Sequence, residues 1–131
     1  MKKISKWFSL VLASLLLLSL FTGFATAETT LKAAMITPQK LGDDGPIDAC
    51  YAGLQAGAEE FGYEIKVLEP QSGEYEDSIR AMADDGYTLI FCIFAQMQDA
   101  VSRVAPEYPD VKFVQSLGDL EMDNVKTLNF K

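Results

Sequence analysis

Five short apolar runs, separated by turns and helical patterns, constrain this chain more than any other feature. Residues 31–37 read LKAAMIT, 64–69 EIKVLE, 88–94 TLIFCIF, 111–116 VKFVQS and 125–130 VKTLNF. The third is unbroken, as expected of a central parallel strand covered on both faces. Residues 48–61 place Tyr51, Leu54, Ala58 and Phe61 at helical spacings, with Gly62 positioned as the C-terminal cap. Tyr75, Ile79 and Met82 mark a second helix closed by Gly86. A third helix over 96–105 turns Met97, Val101 and Val104 inward and ends at Pro106 and Pro109. This cadence predicts βαβ units and a doubly wound α/β layer with a mostly parallel sheet. Lys131 directly follows a strand, with no closing helix, so the sequence reads as the truncated, opening portion of a lobe.

The first 27 residues read differently. Lys2, Lys3 and Lys6 precede a leucine-rich apolar stretch over 7–21, and small residues lead to Ala25-Thr26-Ala27. That order is a secretory signal peptide cleaved after Ala27, and the stretch is short for a membrane span of roughly 20 residues. The expected division is therefore a signal peptide over 1–27 and a partial N-terminal lobe over 28–131. Cleavage would remove three lysines and no acid, moving the formal charge from -8 to -11. No cysteine lies near the junction to carry a lipid. The expected product is extracytoplasmic, with no stable membrane insertion.

Composition excludes several chemistries. Without histidine the chain cannot build Ser-His-Asp or Cys-His catalysis or a His-ligated metal site. Its acidity argues against a nucleic-acid partner. No phosphate-cradling glycine motif, calcium loop, nucleophile–base pair or metal cluster is visible, so neither an enzyme nor a cofactor is expected. Cys50 and Cys92 read either as a disulfide or as two small buried hydrophobes. The acidic groups Glu59-Glu60, Glu74 with Glu76 and Asp77, and Asp84-Asp85 read as solvated surface.

In open α/β sheets ligands bind beyond the carboxyl ends of the strands, near the switch in strand order. That rule selects the loops after Thr37, Glu69, Phe94 and Ser116. The first is the longest and most polar, and Gly42 and Gly45 let its backbone turn sharply. Asp43 and Asp44 in this loop are candidate ligand contacts, whereas Asp48 reads as a helix-start carboxylate. Phe94 ends a strand, where its ring can stack on a ligand. Gln96, Leu117 and Asp119 follow on the same predicted edge.

Four segments carry a family resemblance: AAMITPQKLGDDGPIDACYAGLQAG, EDSIRAMADDGYTLIF, APEYPDVKFV and NVKTLNFK. In this order and spacing they resemble the N-terminal lobe of basic membrane protein (BMP) family solute-binding proteins, the purine-nucleoside-receptor-like group serving ABC importers. The resemblance implies a Rossmann-like lobe of a type I periplasmic binding protein, in which two hinged lobes close on a solute. It implies a small-molecule solute, a nucleoside or a relative of one, and an ABC permease as partners. The family's G-D-x-S-F-N becomes Gly42-Asp43-Asp44-Gly45-Pro46-Ile47, so Asp43 matches while Pro46 and Ile47 replace a stacking phenylalanine and a hydrogen-bonding asparagine. The glycine-rich end of the third strand becomes Cys92-Ile93-Phe94. The aspartate common after the fourth strand falls at Leu117, with Gly118 kept and Asp119 two residues on. The expected role is solute binding; the alternative is an exported sensory or protein-interaction module using the same lobe.

Overall fold

The computed structural model describes residues 30–129. The signal-peptide expectation over 1–27 lies outside them, as does the end of the last predicted strand. Among the described residues five strands form one sheet: β1 (Lys32–Ile36), β2 (Glu64–Leu68), β3 (Leu89–Cys92), β4 (Lys112–Ser116) and β5 (Val125–Leu128). Their order is β2-β1-β3-β4-β5, and every neighbouring pair is parallel. The sequence-based expectation of a mostly parallel sheet thus resolves to a wholly parallel one. Helix α1 (Pro46–Phe61) follows β1, α2 (Tyr75–Asp84) follows β2, and α3 (Gln98–Val104) follows β3.

Side-chain alternation along the strands divides the core into two layers. Ala34 and Ile36 of β1 join Ile90 and Cys92 of β3, Phe113 of β4, and the inward faces of α2 and α3. Ala33 and Met35 point the other way, where Ile47 and Leu54 of α1 cover them. The first layer holds fourteen buried residues and the second only five, so most of the packing lies under α2 and α3. On the α1 side the sheet is only partly covered. Met35, Leu54, Phe91, Val114 and Leu128 line an apolar cavity of about 210 Å³ there.

Several local expectations need correction. Of the helical-spaced residues Tyr51, Leu54, Ala58 and Phe61, Leu54 is buried while Phe61, in the last turn of α1, is 72% exposed. Gly62 does take the left-handed conformation and donates its N–H to the Ala58 carbonyl. Pro106 does not end the third helix abruptly. A 3-10 turn over Ala105–Glu107 extends α3, and proline fits its first positions, where no intrahelical N–H bond is required. Glu76 is not merely solvated: its carboxylate meets Arg103 at 2.6 Å and Arg80 at 3.3 Å, and Arg80 reaches Glu107 at 2.8 Å. This network ties α2 to α3. Asp84 accepts from the Tyr108 hydroxyl at 2.9 Å, and Asp85 lies 3.7 Å from Lys66.

Both cysteines are free thiols. Cys92 is wholly buried in the α2–α3 layer, and Cys50 packs against the α1 layer. The sheet between them rules out a bridge in this fold. Burial pushes the Cys92 thiol far above its ordinary range. An aqueous thiol reagent is expected to modify one cysteine per native chain and two after denaturation. Packing gives a second prediction, read by urea denaturation. Phe113→Ala should cost about 3–5 kcal/mol, and Phe61→Ser should stay within about 0.5 kcal/mol of the parent.

Candidate functional site

Strand β1 leads through α1 to β2 on one side, while β3 leads through α3 to β4 on the other. The carboxyl ends of β1 and β3 therefore flank a crevice, the switch point of this strand order. Two loops border it, residues 37–45 after β1 and residues 93–97 after β3.

The β1 loop is organised by a carboxylate from outside it. Asp48, in the first turn of α1, accepts hydrogen bonds from the backbone N–H of Gly42 at 2.9 and 3.1 Å and of Asp44 at 2.7 Å. The helix-start role expected of Asp48 is thus exerted backwards, on the loop. Position 45 begins the helix with no side-chain cap. Asp43 Oδ1 accepts the N–H of Gly45 at 2.9 Å, and Leu41 N–H donates to Glu69 Oε1 at 2.9 Å, joining the loops after β1 and β2. Gly42 uses the left-handed region at φ 104°, but the second such residue is Asp44 at φ 57°, not Gly45 at φ -93°. The Asp43 and Asp44 side chains both face solvent.

Among the described residues three non-glycine residues have positive φ: Asp44, Phe94 (71°) and Leu117 (55°). All three were candidates from sequence, and each follows the carboxyl end of a different strand. Phe94 is the most strained, since φ 71° and ψ 157° fall in a region that is essentially glycine-only, at a cost of about 1–3 kcal/mol. Its N–H donates to Ser116 Oγ at 2.8 Å, and its carbonyl accepts from Gln115 Nε2 at 2.8 Å. Its half-buried ring packs against the α1-side layer of Ala33, Met35, Ile47, Leu54 and Ile93, as Leu41 of the β1 loop also does. The Phe94 ring therefore lies on the α1 face of the sheet, as does Leu41 of the loop after β1.

The other candidates disperse along the edge. Gln96 is exposed in the 3-10 turn Ala95–Met97 and borders a depression with Gly73, Tyr75, Asp99 and Arg103, towards α2 and α3. Leu117 is 37% exposed, and its N–H bonds to the Leu128 carbonyl at 2.8 Å. Asp119 is exposed, and its N–H donates to Gln98 Oε1 at 2.9 Å. Asp43 and Asp44 thus lie in the loop after β1 and Phe94 at the end of β3, the two strands that flank the crevice, while Gln96 follows β3 and Leu117 and Asp119 follow β4.

Sequence reasoning missed Gln98, Gln115 and Ser116. For the last two a signal existed: a polar pair ends an otherwise apolar strand, and buried polar groups need partners. Gln115 is fully buried, and its Oε1 has no protein partner, which ordinarily costs about 1–3 kcal/mol. Among the described residues no group of three or more His, Cys, Asp or Glu side chains could hold a metal ion. Among them, too, no helix is long and apolar enough to cross a membrane.

Donated backbone hydrogen bonds, chiefly from Gly42, hold the Asp48 carboxyl below its ordinary value of 3.8. A depressed folded value means stability present above the unfolded value and lost as pH falls through the folded one. Asp48→Ala should therefore lower the thermal midpoint at pH 7. The gap to the parent should close as the pH drops below 3.8 and through the lower folded value. Melts across an acid pH series check this.

A family model, Bmp, described as ABC transporter substrate-binding protein PnrA-like, matches residues 30–131. No curated protein matches significantly. Among solved structures, an ABC transporter solute-binding protein from Aeropyrum pernix K1 is 26% identical with a TM-score of 0.69, over 74% of this chain and 28% of its own. One from Conexibacter woesei DSM 14684 is 25% identical with a TM-score of 0.66, over 76% and 35%. A structure described as a lipoprotein fragment from Peptoclostridium difficile 630 is 18% identical with a TM-score of 0.67, over 76% and 85%, a likeness of fold alone. The chain thus spans about a third or less of the length of the two solute-binding proteins.

Proposed function

The chain belongs to the Bmp family of PnrA-like ABC transporter substrate-binding proteins, and from that premise we propose that its β1–β3 crevice binds a small polar solute for delivery to an ABC permease. The supporting observation is that Asp43 and Asp44 follow β1 and Phe94 follows β3, the two strands at the switch point, with positive φ at two of the three. Strained non-glycine residues persist where the surroundings enforce them, and such places cluster at ligand clamps.

The solute class that suits these groups is a nucleoside or a related ring-bearing polyol. Asp43 uses one oxygen on Gly45, and a carboxylate has lone pairs enough to accept further bonds from a sugar diol. Phe94 offers an aromatic face to a flat ring. It takes the place of the family's stacking phenylalanine, whose position is held here by Pro46 in the first turn of α1. Ile47, at the family's asparagine position, is 1% exposed and serves the core instead. This lobe would form one wall of a clamp, with most of the solute's surface buried only on closure against a second. The working location is extracytoplasmic, reached through the leader over 1–27.

Thermal melts and calorimetry with a nucleoside and sugar panel test this reading. At least one ring-bearing member should raise the midpoint, because a ligand that binds only the native state stabilises it. Asp43→Asn can keep the turn to Gly45 while losing the charge. It should weaken that ligand about tenfold, or 1.4 kcal/mol, with little change in stability. A panel without any shift would overturn the proposal.

A further inference from the structure

At the carboxyl end of β4 two adjacent residues reach across to the end of β3 and grip one residue, Phe94, by both its N–H and its carbonyl. Ser116 Oγ accepts the Phe94 N–H, while Gln115 Nε2 donates to the carbonyls of Phe94 and Ser116, each bond 2.8 Å long. Phe94 is the residue whose backbone would relax elsewhere if left free, since a side chain at φ 71° and ψ 157° is disfavoured. The two bonds oppose that relaxation. Gln115 contributes to them at a disadvantage, because its Oε1 stays buried without a partner. An apolar side chain of similar length would fill the same space with no orphaned acceptor, so packing alone does not account for an amide here. Position 118 leaves the room this needs: a Cβ there would lie 3.1 Å from Gln115 Cγ and against Gln98 Oε1.

We infer that Gln115, seconded by Ser116, is a positioning residue that holds Phe94 in its left-handed conformation and so sets its ring on the α1 side of the crevice as a stacking face for ring-bearing solutes. The latch itself follows from the hydrogen bonds; its bearing on solutes rests on the function proposed above. Without the latch the φ of Phe94 returns to negative values, and the ring leaves its place on the α1-side layer. The strand end then changes its preference among solutes without the sheet being disturbed.

The test uses Gln115→Met, Ser116→Ala and the double variant, with inosine as probe. A positive-φ residue brings its amide proton close to its own Hα, giving a strong intraresidue cross-peak in NOE spectra. The parent should show that signature at Phe94. Gln115→Met should lose it while keeping its thermal midpoint within a few degrees, and should bind inosine at least about tenfold more weakly. Ser116→Ala is the milder variant, and it should weaken the signature if the methionine variant fails to fold. A signature that persists in both single variants and in the double would overturn the latch. So would a lowered midpoint with the signature intact, which would make Gln115 merely structural. If the parent does not bind inosine, the nucleoside reading fails, and the Phe94 cross-peak alone still decides the latch.

Discussion

The strand order β2-β1-β3-β4 makes the chain leave the parallel neighbours β1 and β3 in opposite directions. Strand β1 hands on to β2 at one edge, and β3 hands on to β4 towards the other. Parallel strands cannot be joined by tight turns, so each handover needs a crossover, and here helices supply it. Two loops consequently part at one end of the sheet, and the crevice between them is a result of topology before any side chain is chosen. The burial of Ala33 to Ile36 on both faces of β1, all at or below 1% exposure, is what keeps that strand central.

Around the crevice, polar side chains from outside the loops fix the backbone of the loops. Asp48 reaches back from α1 to two amides of the β1 loop, and Glu69 joins the same loop to the end of β2. Gln115 and Ser116 do the equivalent for the β3 end from β4. Each bond costs little conformational entropy because its side chain stands on a rigid element. A loop held this way can keep residues such as Asp44 and Phe94 in conformations they would not adopt alone. The two core layers divide the labour: the fourteen-residue layer under α2 and α3 supplies most of the packing, and the thinner layer under α1 carries the Phe94 ring.

The family's pattern and this chain's departures from it both acquire physical content. Asp43 keeps its place at the tip of the loop, exposed and with one oxygen engaged. Pro46 and Ile47 replace a stacking ring and a polar partner, and the structure uses them to start α1 and to fill the core. Phe94 then stands across the crevice from the matched aspartate loop, held by a strand-end pair that no helical or strand periodicity would single out.

Apolar periodicity by itself determined the elements and their class. Runs such as LKAAMIT and TLIFCIF, short and bounded by turn residues, read as buried strands, and Met97, Val101 and Val104 at helical spacing all proved buried. Burial of apolar surface depends on local pattern, which a linear sequence displays. Strand-end loops were legible for the same reason, so Asp43, Asp44, Phe94 and Leu117 were all found on the carboxyl edge. Only the tertiary structure decided that Phe61 faces water, that Cys50 and Cys92 lie on opposite sides of the sheet, and that Gln96 opens away from the β1–β3 crevice. It alone assigned Asp48 to the loop and Gln115 to Phe94. Those outcomes depend on hydrogen bonds and packing between segments distant in sequence, such as the 22 residues from Phe94 to Ser116, set by strand order and register rather than by any local pattern.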